Sequence, residues 1–338
     1  MRVHSDIHNL PLFHNAVVTI GTFDGVHTGH RQIISQLKQE AFHIQGETVI
    51  ITFHPHPRMV LHALRGKSDS IQLLNTLPEK IELLGKQGID HLVVVPFNED
   101  FALLSAEAYI KDFLVKRFHP RTIIIGYDHR FGKNREGDYQ LMESYGKALG
   151  YQVKEIPQYI LNHVAISSTT IRKALGNGDI SAANEYLGYP YFMEGKVVEG
   201  NRMGRTIGFP TANLEIANPH KLVPSMGVYA IQVSMEGYPG TGKEKSPDFS
   251  QGPIVKGMLN IGTRPTVGGS KMTIEANLFD YEGDLYGKSL RVYFRKYLRE
   301  ERKFENLEKL KSQLNQDRSL AKEILGSYLS SEDPLMIL

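Results

Sequence analysis

Residues 21–30 read Gly21-Thr22-Phe23-Asp24-Gly25-Val26-His27-Thr28-Gly29-His30 and give the strongest local indication of the fold in the first half of the chain. It follows the apolar, β-branched run Val17–Ile20 and opens the helical pattern of Arg31–Phe42. A strand, a glycine turn and a helix in this order present main-chain amides and the positive end of a helix dipole to an anion. The stretch therefore predicts a phosphate site where a strand meets a helix.

Two histidines in this stretch are candidate catalytic groups. His27 and His30 stand three residues apart on the first helical turn, so both imidazoles face one side. Gly21, Gly25 and Gly29 allow the main chain to approach a ligand closely. Such donors suit transfer at a phosphate, where stabilisation of negative charge supplies much of the catalysis. A structural glycine turn is the alternative, and zinc is disfavoured because no Glu stands between the histidines and no further ligand is evident.

Strand-like runs alternate with helical patterns up to Gly188. The runs are Val17–Gly21, Thr48–Phe53, His91–Phe97, Thr122–Tyr127 and Tyr151–Ile156. Between two of them, Ser105–Phe118 begins with a serine that can cap a helix and places apolar residues at helical spacing. This order predicts an α/β domain with a doubly wound parallel sheet, whose ligands bind at the carboxyl ends of the strands.

Three further segments carry groups that suit a nucleotide. In Ile166-Ser167-Ser168-Thr169-Thr170-Ile171-Arg172, hydroxyls, amides and a guanidinium could clamp a triphosphate, although an ordinary helix cap explains the hydroxyls equally well. Thr52–Arg58 and Ile125–Gly132 each follow a predicted strand and offer aromatic rings, cations and turn residues. These two loops could hold a planar ring with a phosphate, or could simply be stiffened strand exits.

After Gly188 short strand-like runs are separated by Gly- and Pro-rich turns, which predicts an antiparallel barrel or sandwich. The runs are Gly195–Val198, Val228–Val233, Ile254–Ile261, Lys271–Leu278 and Leu290–Phe294. Phe304–Leu325 has the leucine spacing of an amphipathic helix that packs on this unit. We therefore expect two domains, 1–188 and 189–338, with Gly237–Pro253 as an exposed insertion.

The second half also holds a candidate phosphate flap and a candidate base. Gly200–Leu214 is a basic glycine loop that leads into a strand. Thr211 and Asn213, two apart on an extended chain, point their oxygens to one face, as a hard Mg²⁺ that retains waters and nucleotide oxygens requires. Glu275 places a carboxylate in the apolar run Ile274–Leu278. A β-turn before an ordinary strand and a solvated strand face are the alternatives.

Composition excludes several classes of protein. Among 338 residues 41% are hydrophobic and 22% charged, a globular balance, and the net charge of +2 does not indicate a nucleic-acid binder. The absence of cysteine excludes disulfide frameworks, thiolate catalysis and Cys-ligated metals. No apolar run reaches membrane-spanning length, and Met1–Pro11 lacks the apolar stretch of a signal peptide. We therefore expect a cytoplasmic protein with no membrane partner.

The first half resembles the HxGH nucleotidylyltransferase superfamily, and more narrowly the adenylyltransferase module of bacterial bifunctional riboflavin kinase/FAD synthetases. The motifs GxFDGxHxGH, TFxPHP, GxDxxFG and ISSTxIR carry the resemblance. It implies that His27, His30 and Arg172 help to bind ATP and to stabilise adenylyl transfer to FMN. Implied contacts with ATP and its phosphates are Gly21, Phe23, Gly25, Gly29, Ser168 and Thr169. Implied contacts with the flavin are Phe53, His56, Pro57, Arg58, Asp128 and Phe131.

The second half is similar to the riboflavin kinase module of the same family, a six-stranded antiparallel barrel with a C-terminal helix. The matching elements are GRxxGFPTAN, Gly227–Tyr229, Asn260–Thr266, Glu275 and Asp284–Gly287. The resemblance implies that Glu275 is the general base on the riboflavin 5′-hydroxyl. It also implies a Mg²⁺ and ATP site at Thr211 and Asn213, with Gly204 and Arg205 in a loop that closes over the phosphates.

The resemblance implies a bifunctional enzyme that makes FMN from riboflavin and MgATP and then FAD from FMN and MgATP. This sequence departs from the family at His129, where Phe is usual, and at Asn277, where His is frequent. Two alternatives remain open: a riboflavin kinase with an impaired adenylyltransferase half, suggested by His129, and a flavin-responsive regulatory binder. Glu275 argues against the binder, because binding alone needs no base.

Overall fold

The computed structural model describes residues 1–66, 71–156, 166–200, 203–236, 249, 254–266 and 269–329. The chain divides into two compact units, Met1–Ser168 and Thr169–Leu338. The expected domain boundary after Gly188 stays a prediction.

A six-stranded sheet forms the centre of the first unit, in the order β1-β4-β3-β2-β5-β6, and every neighbouring pair is parallel. Its strands are β1 (Arg2–His4), β2 (Val17–Ile20), β3 (Thr48–His54), β4 (His91–Pro96), β5 (Thr122–Gly126) and β6 (Gln152–Ile156). The predicted parallel sheet is confirmed, with five strands matching to within a residue at each end. Strand β1 was not predicted, because three residues are too few to show a period.

Helices connect these strands. They are α1 (Thr28–His43), α2 (Pro57–Leu64), α3 (Leu77–Gly85), α4 (Glu99–Ala102), α5 (Ala106–Ala108), α6 (Lys116–Phe118) and α7 (Tyr139–Leu149), with a π-helical turn at Tyr109–Val115 and a 3-10 turn at Lys133–Arg135. The predicted helix over Ser105–Phe118 is confirmed, except that its middle is π-helical. The wider turn brings Tyr109 onto the buried face beside Ile110 and Phe113.

The strand order places one crevice at the centre of the sheet. From β2 the chain proceeds to β3 and β4 on one side, and then returns to β5 on the other side of β2. Ligands of open α/β sheets bind outside the carboxyl ends of the strands at such a switch point. The glycine-rich stretch follows β2 directly, so it lies at this edge.

A closed barrel forms the second unit, with its strands in the order β10-β11-β8-β7-β12-β9 and every described neighbouring pair antiparallel. They are β7 (Phe192–Val198), β8 (Ala212–Glu215), β9 (Gly227–Met235), β10 (Val255–Thr266), β11 (Gly269–Leu278) and β12 (Ser289–Arg299). The described helices are α8 (Ser168–Gly176), which the division crosses, α9 (Ile180–Leu187), α10 (Met203–Thr206) and α11 (Leu307–Gly326), followed by a 3-10 turn at Ser327–Leu329. Ala321 and Leu325 of α11 pack on Met258 and Phe279, which confirms the predicted C-terminal helix.

The insertion Gly237–Pro253 lies outside the described residues apart from Phe249. That residue is 3% exposed, so the expectation of an exposed insertion is wrong at this position. The Arg291 guanidinium lies 4.6 Å from the centre of the Phe249 ring, and the Ser234 hydroxyl donates to the Phe249 carbonyl at 2.6 Å. The aromatic ring and one side-chain hydrogen bond anchor this position to the barrel.

Candidate functional sites

The turn after β2 has an unusual main chain. Phe23 and Val26 have φ values of 48° and 36° although neither is glycine, and Gly25 has a φ of 90°. A non-glycine residue in this region costs on the order of 1–3 kcal/mol and persists only where its surroundings hold it. Both side chains are fully buried, so packing of the turn against the sheet maintains the strain.

His27 caps the helix that follows. Its Nδ1 accepts a hydrogen bond from the His30 amide at 3.3 Å, so in the neutral ring the hydrogen is on Nε2. The two imidazole rings stack, with centroids 3.7 Å apart and planes 17° apart. A Cβ on Gly29 would lie 3.2 Å from His27 Nδ1, which favours glycine there. Both imidazoles therefore lie together at the start of α1.

Burial, followed by the charges of His27 and Lys80, lowers the pKa of His30 well below its usual 6.5. His30 Nδ1 is also buried, and no hydrogen-bond partner for it occurs in the part of the chain that the structure describes. The ring is consequently neutral at pH 7. A neutral imidazole can donate a hydrogen bond to a phosphate oxygen without carrying a full charge.

A buried acid and a buried lysine hold the turn in place through hydrogen bonds. The Asp24 carboxylate accepts hydrogen bonds from the amides of Leu74 and Asn75 at 3.0 and 3.2 Å. Lys80 of α3 donates to the Thr22 carbonyl at 2.7 Å, and burial lowers the pKa of Lys80 to about 8 despite the opposing charge of Asp24. Neither residue was predicted from the sequence to take part in the site. An acid within a glycine turn was a usable signal, whereas a lysine so distant along the chain gave none.

The hydroxyl-rich helix start is joined to the same turn. Ser168 Oγ donates to the Asp24 carbonyl at 2.9 Å, so the first residue of α8 lies against the glycine-rich stretch. Thr169 and Arg172 follow on α8 and belong to the second unit. Their assignment to ATP stays a prediction.

The loop after β3 places its candidate flavin residues at the start of α2. His56 Nδ1 accepts from the Arg58 amide at 3.1 Å, and Pro57 is the first helical residue. Phe53 is largely buried, and its ring packs on Phe97 at a centroid distance of 5.6 Å. Two of these residues thus also cap and begin a helix, and their contact with a flavin stays a prediction.

The loop after β5 is divided between core and surface. Asp128 is exposed, whereas Phe131 is buried and stacks on Tyr109 with centroids 5.0 Å apart. Burial lowers the pKa of His129 to about 4, so its ring is neutral at pH 7, and it stacks on Phe131 at 5.9 Å. A neutral, stacked imidazole at this position is similar in charge and shape to the phenyl ring that is usual in the family that this sequence resembles.

In the second unit, a hydroxyl, an amide and a carboxylate come together on neighbouring strands. Thr211 Oγ1 lies 3.4 Å from Glu275 Oε2, close enough for a weak hydrogen bond. Glu275 of β11 is directly opposite Asn213 of β8 in the antiparallel pairing. The structure thus brings together the three residues that were predicted to bind the metal and to act as the base. Thr211 and Glu275 are 64 positions apart in the sequence.

In the loop before β8, two glycines allow the main chain to lie close to neighbouring residues. The Gly204 carbonyl accepts from the Phe209 amide at 2.8 Å, and a Cβ on Gly204 would overlap the Phe209 carbonyl. A Cβ on Gly200 would overlap the Asn213 side chain. The Arg205 side chain lies outside the described part of the structure, so its contact with phosphates stays a prediction.

The oxygen donors at this site fit a hard cation that keeps several waters. Within the described residues, no three His, Cys, Asp or Glu side chains are grouped so that they could hold a metal by themselves. Thr211 and Asn213 supply a hydroxyl and an amide oxygen beside the Glu275 carboxylate. Mg²⁺ commonly uses few protein ligands and completes its shell with waters and substrate phosphates, which suits this donor set.

Comparisons with known proteins agree with both units. A family model for FAD synthetase matches residues 11–170, and one for riboflavin kinase matches residues 187–325. A bifunctional riboflavin kinase/FMN adenylyltransferase of Escherichia coli K12 is 36% identical over 96% of this chain and 98% of its own. The protein of the same description from Haemophilus influenzae is 34% identical over 97% and 100%.

A solved structure from Streptococcus pneumoniae, described as a macrolide-efflux protein, has 26% identity and a TM-score of 0.81 over 95% of this chain and 98% of its own. In the described ranges of the present structure, no helix is both long enough and apolar enough to cross a membrane. The similarity to that structure extends through both units.

Proposed function

Since the chain belongs to the family of bifunctional riboflavin kinases/FMN adenylyltransferases, we propose that it converts riboflavin to FMN and FMN to FAD. The observation that carries this function is the match to both enzymes in order along one chain. Neither a kinase with an impaired second half nor a regulatory binder is favoured, because the relatives named for both activities cover nearly the whole chain.

In the proposed kinase step, Glu275 removes the proton of the riboflavin 5′-hydroxyl. The oxygen then forms a bond to the γ-phosphorus of ATP, the bond from that phosphorus to the bridging oxygen breaks, and ADP leaves. Thr211 and Asn213 would hold Mg²⁺, which when bound neutralises charge on phosphate oxygens. The distance of 3.4 Å between Thr211 Oγ1 and Glu275 Oε2 supports placing base and nucleotide at one site.

In the proposed adenylyl transfer, a phosphate oxygen of FMN attacks the α-phosphorus of ATP, and pyrophosphate leaves. The nucleophile is already anionic, so no base is required, and stabilisation of negative charge is the main task of the protein. His27 and His30 would donate hydrogen bonds to ATP phosphates beside the helix amides, with Ser168, Thr169 and Arg172 completing the contacts. The stacking of the two imidazoles at the start of α1, together with the lowered pKa of His30, supports this role.

An assay of flavins and leaving groups tests the whole proposal. The purified chain is incubated with riboflavin, ATP and Mg²⁺, the flavins are separated chromatographically, and ADP and pyrophosphate are measured. FMN should appear with ADP, followed by FAD with pyrophosphate. A parallel reaction that starts from FMN isolates the second step. Riboflavin that binds and stays unaltered would contradict the kinase assignment.

The proposed partners are small molecules. Riboflavin, FMN and ATP are the substrates, and neither reaction requires a nucleic acid or a membrane. Both reactions consume ATP, which supports a cytoplasmic location. Flavin synthesis in the cytosolic fraction of the source cells would check this placement.

A further inference from the structure

Asn277 is a buried amide close to the candidate base of the barrel. It lies two residues after Glu275 on β11, so the two side chains leave the strand on the same face. The Asn277 side chain is only 2% exposed. Nothing in the proposed phosphoryl transfer requires an amide at this position.

The amide makes one specific hydrogen bond. Asn277 Nδ2 donates to the Pro210 carbonyl at 2.7 Å. The orientation of the amide is unambiguous, because a proline carbonyl can only accept and therefore requires the NH₂ group to face it. Pro210 directly precedes Thr211, so this bond fixes the main chain next to the hydroxyl assigned to the metal and nucleotide.

The bond reinforces a short strand pairing. β8 and β11 pair over two residue pairs only, Ala212 with Ala276 and Asn213 with Glu275. Beyond that pairing, the contact of Thr211 with Glu275 and the bond of Asn277 to Pro210 join the incoming chain to β11. Of these two contacts, the bond of Asn277 is the shorter, at 2.7 Å against 3.4 Å.

The neighbouring residue on the chain is held by packing. Phe209 is 4% exposed and lies in an apolar cluster with Met258 and Phe279. The guanidinium of Arg318, on α11, lies 4.3 Å from the centre of the Phe209 ring. Ring packing and the bond from the Phe209 amide to the Gly204 carbonyl anchor Phe209, and the Asn277 amide bonds to the next carbonyl along the chain, that of Pro210.

The other amide atom shows that stability alone does not account for the residue. Asn277 Oδ1 is buried, and the described residues offer it no hydrogen-bond partner. An unsatisfied buried acceptor is destabilising, whereas an apolar side chain of similar size would avoid that penalty. The asparagine therefore costs stability at one atom and makes a positional contact with the other.

We propose that Asn277 is a positioning residue for riboflavin phosphorylation. It holds Pro210 in place and so keeps the Thr211 hydroxyl in contact with the Glu275 carboxylate. This inference rests on the proposed kinase function. Because Thr211 is assigned to the metal and nucleotide, loss of the bond should affect the KM for MgATP and kcat more than the KM for riboflavin.

Two variants of the full chain test the proposal. Asn277→Asp keeps the size but directs an acceptor at the Pro210 carbonyl, and Asn277→Leu removes both the donor and the unsatisfied acceptor. Both should lower kcat/KM for MgATP roughly 10- to 100-fold, the usual effect of a small displacement of reacting groups. Asn277→Leu should do so with an unfolding temperature equal to or above that of the unmodified chain, which a purely structural role does not predict.

Asn184→Asp is the matched control, because Asn184 Nδ2 also donates to a main-chain carbonyl of the barrel unit, that of Phe294 at 2.9 Å. It should lower the unfolding temperature without changing the KM for MgATP. The inference is overturned if both Asn277 variants retain the kinetics of the unmodified chain, or if Asn184→Asp changes them equally. Failure of the unmodified chain to phosphorylate riboflavin would instead refute the proposed function, and adenylyl transfer to supplied FMN monitors the integrity of each variant.

Discussion

Ser168 donates a hydrogen bond from its hydroxyl to the main-chain carbonyl of Asp24, with 2.9 Å between the two oxygens. The two residues are 144 positions apart, and each belongs to a motif that sequence analysis assigned to ATP. The bond places the start of α8 against the glycine-rich turn after β2. It gives the hydroxyl a structural task in addition to its proposed contact with phosphate.

Ser168→Ala should weaken this connection. The loss of one hydrogen bond is worth about 1 kcal/mol of the free energy of unfolding. FAD formation should fall more than FMN formation, because the bond lies in the proposed adenylyltransferase site. Ser144→Ala is the control, since the exposed Ser144 hydroxyl also donates to a main-chain carbonyl, that of Leu141. Equal effects of the two substitutions on FAD formation would contradict the prediction.

His27→Ala and His30→Ala should each reduce FAD formation from FMN by about 10²- to 10³-fold, the usual effect of removing one donor that stabilises developing charge. FMN formation from riboflavin should persist, because it is assigned to the barrel. Separate initial rates of the two reactions provide the measurement. His43→Ala, at the exposed end of the same helix, is the control and should leave both rates unchanged. Parallel loss of both products in the His27 and His30 variants would refute separate sites.

Lys80 makes stability depend on alkaline pH. Burial lowers its pKa in the folded chain from 10.5 to about 8. Between these values the unfolded chain binds more protons than the folded chain, so the free energy of unfolding rises with pH in this window, and below about pH 8 the penalty is complete. Lys80→Met lacks this contribution. Between pH 7 and 9.5 the stability of the unmodified chain should therefore improve by about 2 kcal/mol relative to the variant.

Denaturant unfolding at both pH values measures this difference. Lys147→Met is the control, because the Lys147 side chain is 77% exposed. It should shift the stability by the same amount at the two pH values. If the free energy of unfolding of Lys80→Met changed with pH as that of the unmodified chain does, the pKa of Lys80 would not be lowered in the folded protein.

Glu275→Gln should abolish most FMN formation while leaving FAD formation from supplied FMN unchanged. The amide cannot accept the hydroxyl proton as a carboxylate does, and loss of a general base costs about 10²- to 10⁴-fold in rate. The measurement is ADP release with riboflavin, compared with pyrophosphate release with FMN. Glu282→Gln alters an exposed carboxylate in the loop after β11 and should change neither rate. Unimpaired turnover of riboflavin by Glu275→Gln would exclude the assigned base.

The order of the elements and the positions of the motifs could be predicted from the amino-acid sequence alone. The β-branched run Thr48–His54 and the helical spacing in Leu307–Gly326 are local properties, because both are patterns among residues close together in the sequence. The glycine-rich stretch was equally readable, since a turn, a cap and a helix dipole involve residues close in sequence.

Contacts between side chains that are distant in the sequence could not be predicted in this way and required the folded structure. Lys80 beneath Thr22 and Asn277 against Pro210 carry no local signal, because their partners come from other elements. The fold also buries the ring of Phe131 against the core, a packing role that its motif did not indicate, while its predicted contact with the flavin stays a prediction. The periodicity of a sequence indicates which face of a helix or strand is buried. Which residues pack on that face depends on how all the elements of the chain fit together.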